Sequence, residues 1–412
     1  MTSTASATPR LSLFACLPDE LIETIGRDVY GDPEEWSLEG LDALRCLAQV
    51  DRRTRRILQP LCWKTLYVSM GARDYAQLAQ LLATFGPLVT SLVFDSSQQP
   101  PEKPDAVRLQ ALETALGHCP SLDSVYFSHD TALRHDDNVY RPWNAASISH
   151  QCVARALVPL ASRLRRLECS GRYADLRFYA HAFALLLPSA ANLQSVHLPI
   201  SGSGYATQLL LQCAQALMQM TEVRALILHL DVLLHADQFR LPHLEHADLY
   251  YLGDDPEFPA YLQSFLRSVS STLRHLAIRL PPADIVLPNF ASPIVFPRLE
   301  SLRLCGLSTT NFMLNLTSAT PTLRSICICT LDADTFDVIR AFCEKATTKS
   351  WRKLVFVEAC CESGGSSKAV FERLAAWATS CGAHVEIEDK VSWDARKLEE
   401  SQRRAGLRPC FV

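Results

Sequence analysis

The chain has no long hydrophobic run: no stretch reaches the roughly 18 uninterrupted apolar residues that a membrane-spanning helix needs. No secretory leader is expected either, because the apolar segment Leu11 to Leu17 is short, has one nearby basic residue and runs into an acidic helix start. Charge of one dominant sign is also missing. Forty Lys and Arg face 44 Asp and Glu, a formal net charge of -4, so nothing in the charge balance calls for nucleic acid or an anionic membrane. The 15 cysteines are odd in number and follow no regular spacing, the pattern of reduced thiols in a cytoplasmic and/or nuclear protein. Catalytic signatures are lacking too. The glycine turns at Ser201 to Gly204 and Ser363 to Gly365 carry neither the Lys-Ser/Thr of a phosphate loop nor a dinucleotide fingerprint, and no G-x-S-x-G elbow occurs. His243-x-x-His246 with Asp248 fits neither a helical metal pair nor a finger, and adjacent Cys360 and Cys361 are poorly spaced as ligands. No metal, no cofactor and no enzymatic activity are therefore expected.

What the chain does contain is a repeat. Hydrophobic residues make up 48% and charged residues 20% of its 412 residues, enough to build a large soluble core. From Val89 onward one pattern returns: an apolar residue, two others, an apolar residue, one other, an apolar residue. It runs from Val89-Leu92-Phe94 through Leu193-Val196-Leu198 and Leu299-Leu302-Leu304 to Trp351-Leu354-Phe356, ten copies about 29 residues apart on average. Positions four and six of each copy lie two apart and share one face of a short strand. The stretches between copies read as helices, among them Asp74 to Phe85, Ala106 to Leu116, Ile148 to Leu164, Phe178 to Leu187, Ala206 to Met218, Ala260 to Val269 and Asp334 to Ala346. The expected fold is α/β: a solenoid over residues 69–390, with parallel strands on its concave side and helices on its convex side. His384 to Ile387 would add a closing strand. Residues 1–13 are expected to be unstructured, and 391–412 form a charged tail.

If positions four and six point into the core, positions three, five and seven face the concave side. The middle copies then crowd His197, His229, His246, Asp248, Tyr250, His275, Arg279 and Arg303 onto one patch, a candidate protein-binding surface. Histidine adds a charge that changes near neutral pH. A slip of one residue in register would send all of these to the other face. The longest interval, Ser128 to His150, carries Tyr140, Arg141 and Trp143, a second candidate anchor for a peptide.

Ahead of the repeat, residues 14–68 form a different unit. Leu17, Leu21, Ile22, Ile25 and Val29 recur at helical steps. Pro18 suits the first helical position, and Asp19 and Glu20 favour the positive end of the helix dipole. Leu41, Leu44, Leu47, Ala48 and Val50 mark a second helix, and Arg52 to Leu58 a third that Pro60 should end. Three short helices in about fifty residues lie near the lower limit for an independent core, so this segment should lean on a partner.

The segments LPDELIETI and LAQVDRRTRRILQPLCW resemble the F-box, in the form common among fungal F-box proteins. The repeats, opened by CPSL, LPHL, FPRL and TPTL, resemble the degenerate leucine-rich repeats found in such proteins. Asp51 and Thr54 stand where many family members carry Cys and Trp. The resemblance implies a non-catalytic substrate-recognition subunit of a cullin–RING ubiquitin ligase of the SCF type. Leu17, Pro18, Leu21, Ile22 and Ile25, with Leu47 and Val50, would bind the ligase adaptor, which joins the cullin; the repeat arc would hold a protein substrate. Trp63 matches the tryptophan that follows the domain. The alternative is a non-catalytic leucine-rich-repeat scaffold acting outside any ligase.

Overall fold

The computed structural model describes residues 17–30, 38–69, 75–95, 106–128, 151–170, 177–198, 207–229, 232, 240–250, 258–279, 294–305, 322–328, 353–357, 372–373, 375–377, 379–380 and 384–388. Three helices come first: α1 (Asp19–Tyr30), α2 (Leu38–Leu47) and α3 (Arg52–Lys64). Helix α3 does not end at Pro60 but carries it inside. The hydrogen bond lost at the proline is outweighed by packing, since Leu61 reaches the core of the helices and Trp63 stacks on Phe85 with ring centroids 4.5 Å apart.

Strand β1 (Thr65–Ser69) follows α3 directly and opens a twelve-stranded parallel sheet in strict chain order. The others are β2 (Ser91–Asp95), β3 (Ser124–Ser128), β4 (Arg166–Ser170), β5 (Ser195–Leu198), β6 (Ala225–His229) and β7 (His246–Tyr250). Then come β8 (His275–Arg279), β9 (Ser301–Cys305), β10 (Ser325–Ile328), β11 (Lys353–Val357) and β12 (His384–Glu388). The first strand lies inside the segment assigned to the N-terminal helices, so the sheet starts at Thr65 rather than after residue 68. Leu66 pairs with Leu92 and Val68 with Phe94, which makes Trp63-Leu66-Val68 an eleventh copy of the repeat.

Between strands run α4 (Tyr75–Phe85), α5 (Ala106–Gly117), α6 (residues 151–157), α7 (Arg177–Leu186), α8 (Thr207–Met218) and α9 (Phe258–Val269). Positions four and six of the strands, from Leu66 and Val68 to Leu276 and Ile278, share one continuous core with these helices. Phe94, Phe127 and Phe183 are fully buried along it, with successive ring centroids 6.1 and 6.2 Å apart. The expected register is observed across ten strands: Ser91, Ser124, Arg166, Ser195, Ala225, His246, His275, Ser301, Ser325 and Lys353 are mutually paired. The segments Asp334 to Ala346 and Ser128 to His150 lie outside the described residues, apart from Ser128 itself at the end of β3.

Candidate functional site

The sheet face turned away from α4–α9 carries positions three and five, and its middle is polar. His246 on β7 and His275 on β8 are register partners whose rings stack 4.4 Å apart and 10° from parallel. One step along, Asp248, Ala277 and Arg303 follow each other on β7, β8 and β9. Only a methyl group therefore stands between the strands of the carboxylate and the guanidinium. Asp248 is 5% exposed and Arg303 7%, and each is engaged with a neighbour. Buried charges persist only where partners replace water. These two are thus built into the face instead of standing on it as accessible anchors, a correction to the reading of both as surface groups.

His197 lies on β5, separated from β7 by Ile227 of β6, and is half-buried. His229, Tyr250 and Arg279 end β6, β7 and β8 as register partners, so they form a row; their side chains lie outside the described residues. The topology therefore brings all eight residues to neighbouring strands, with the stacked histidines as the described pair that remains partly exposed. Glu168, a position-five residue of the same face left out of the candidate patch, is 2% exposed on β4, and its carboxylate accepts a 3.1 Å hydrogen bond from Ser195 Oγ. Burial, and the negative charge of Glu168 beside it, push the Cys169 thiol well above the ordinary range. Burial likewise raises Cys119 to about 11 and Cys213 to about 12, which keeps both as inert core thiols. Among the described residues no three His, Cys, Asp or Glu side chains converge on a point that suits a metal.

At the other end, α1, α2 and α3 close around Ile22, Leu44, Ala48 and Leu58. The close approach of α1 to α3 depends on Gly26, where an added Cβ would stand 2.3 Å from Leu58 Cδ2. Helix α1 starts at Asp19, so Pro18 precedes it, and the Pro18 carbonyl accepts from the Ile22 amide at 3.1 Å. Arg53 ties the starts of α1 and α3 together, donating to the Leu17 carbonyl at 2.7 Å and to the Asp19 carboxylate. Asp51 caps α3: its carboxylate accepts from the Thr54 amide at 2.7 Å and from the Thr54 hydroxyl at 3.0 Å. That backbone hydrogen bond, above all, holds the Asp51 carboxyl below the usual range. The Asp-x-x-Thr spacing ahead of a helix was the legible sign.

The seven residues singled out here separate by exposure. Leu21 and Val50 are both 45% exposed, and Pro18 is exposed. Leu17, Ile25 and Leu47 are half-buried, and Leu17 and Leu47 pack on the small core. Ile22 is fully buried and cannot be a contact residue; as the innermost residue of α1 it faces α2 and α3. The core also takes in Val93 of β2, with Tyr67 of β1 and Tyr126 of β3 packed against it. All three occupy position five, so the helices cover the start of the face that the middle strands leave to the histidines.

No protein-family model matches the chain, and no curated protein matches it. Among the described residues no helix is long and apolar enough to cross a membrane.

Proposed function

We propose that the chain is a non-catalytic substrate receptor of a cullin–RING ubiquitin ligase of the SCF type. In this reading the N-terminal helices are an F-box that binds the ligase adaptor, which joins the cullin. The sheet and its helices are an irregular leucine-rich-repeat arc that holds a protein substrate. The observation that carries it is an asymmetry in the three-helix unit. Leu21 and Val50 stand outside its core, both large apolar side chains are left nearly half exposed, and Pro18 is exposed as well. Apolar groups held outward on a rigid unit are what a docking surface requires. The receptor would act by proximity, raising the effective concentration of a substrate at the conjugating enzyme.

Co-purification of the full chain with the adaptor and cullin tests the reading. Leu21→Asp combined with Val50→Asp should weaken adaptor binding at least tenfold while the far-UV circular dichroism spectrum stays unchanged. Binding retained by this variant would misplace the interface. Failure of the unaltered chain to capture the adaptor would favour a scaffold outside any ligase.

A further inference from the structure

The edge of the sheet where the strands begin carries a charge pattern that neither the core nor the polar face explains. From β3 to β10 the residue just before each strand is exposed or half-buried, and its identity alternates. Arg165, Arg224, Arg274 and Arg324 precede β4, β6, β8 and β10, whereas Asp123, Gln194, Glu245 and Glu300 precede β3, β5, β7 and β9. The two signs do not sit at the same height. The side chains of Arg224, Arg274 and Arg324 are 59%, 51% and 70% exposed, against 34% for Glu245 and 27% for Glu300. The arginines stand proud of recessed carboxylates.

Those carboxylates approach the guanidinium groups at 3.4 to 4.0 Å, longer than a charge-assisted hydrogen bond. They orient the arginines without using up their donors. The backbone beneath is fixed. From Asp123 to Glu300 each carbonyl in the row accepts two amides from the next copy; Arg224, for example, accepts from Glu245 at 2.8 Å and from His246 at 3.0 Å. In the middle of the row a polar cleft of about 270 Å³ opens between Pro242, His243, Glu245, Thr272, Arg274 and Arg298.

Spacing selects the ligand. Strands lie about 4.8 Å apart, so arginines on alternate strands recur about every 9.6 Å. A polyproline II segment rises about 3.1 Å per residue with three residues per turn, which repeats a side chain on one face about every 9.3 Å. We infer that this edge binds an extended peptide segment carrying Asp or Glu at every third position. Four such acids, about ten residues, would span Arg165 to Arg324. Glu245 and Glu300, lying between the arginines, disfavour a continuous polyanion such as nucleic acid and accept a segment whose charges are interrupted.

The test measures binding of a fluorescently labelled peptide, Glu-Pro-Pro three times followed by Glu, to the full chain by polarisation at low salt. The control has the same four Glu at alternate positions, and decathymidylate serves as a competitor. The matched peptide should bind at least fivefold more tightly than the control and weaken as salt rises. Arg224→Gln, Arg274→Gln and Arg324→Gln together should cost roughly tenfold or more, and Arg274→Gln alone about two- to threefold, as for exposed ion pairs. The single variant changes one exposed side chain and so decides the matter even if the triple variant misfolds. No binding of the matched peptide, equal binding of the control, or unchanged affinity in Arg274→Gln would overturn the proposal. Displacement by decathymidylate at concentrations as low as those of unlabelled peptide would do so as well, marking a nucleic-acid surface.

Discussion

The three-helix unit and the strand–helix stack bury apolar surface on very different scales. The stack runs one continuous core from Leu66 to Leu323, in which each copy covers its neighbour. The unit closes on Ile22, Leu44, Ala48 and Leu58, and its fifth buried member, Val93, belongs to the stack. A core of that size is marginal by itself. The difference shows that α1–α3 are an annex to the sheet's polar face, held by Val93, Tyr67 and Tyr126, while their outer apolar groups stay exposed.

Four changes break or sharpen this contrast. The largest effect belongs to Phe127→Ala, because Phe127 is fully buried between Phe94 and Phe183. It should cost about 3–5 kcal/mol and lower the urea midpoint of the whole stack. Val93→Ala should cost roughly 2 kcal/mol and raise amide exchange in α1–α3 more than in α7 or α8. Equal exchange in both regions would show that the annex does not depend on the sheet. Gly86→Ala tests close packing between successive helices, since the new Cβ would stand 2.0 Å from the His118 carbonyl oxygen. A backbone shift must follow, at about 1–3 kcal/mol, read as a lower melting temperature with unchanged exchange in α1.

The smallest effect is the pH dependence carried by the cap of α3. The folded carboxyl of Asp51 is depressed below its ordinary 3.8, so its contribution is complete above that value. It is lost as pH falls through the lower folded value. Wild type should therefore lose stability relative to Asp51→Asn on acidification, in paired urea titrations, with the two curves parallel near neutral pH.

The repeat was legible because strand side chains alternate with period two and the core demands apolar groups at positions four and six. That demand placed His246 beside His275, and Asp248 one residue from Arg303 across Ala277, with the pairing the structure shows. The first strand was missed because its copy begins inside α3, where Trp63 reads equally well as the end of a helix. Pro60 misled for a related reason: local propensity marks a stop, and tertiary packing of Leu61 and Trp63 overrides it. Ile22 could not be sorted from Leu21 by periodicity alone, since adjacent residues of an amphipathic helix flank the boundary between its inner and outer faces.

Sequence alone determined the strand register and the helix-facing core, because both follow from local spacing and from which residues tolerate burial. Tertiary structure decided which apolar residues of α1 face inward and that Val93 would complete the annex. It also decided that Asp248, Glu168 and Arg303 would be buried, and that the arginines of the strand-start edge would stand above their carboxylates. Those outcomes depend on what packs across from each side chain, and such neighbours lie tens of residues away along the chain.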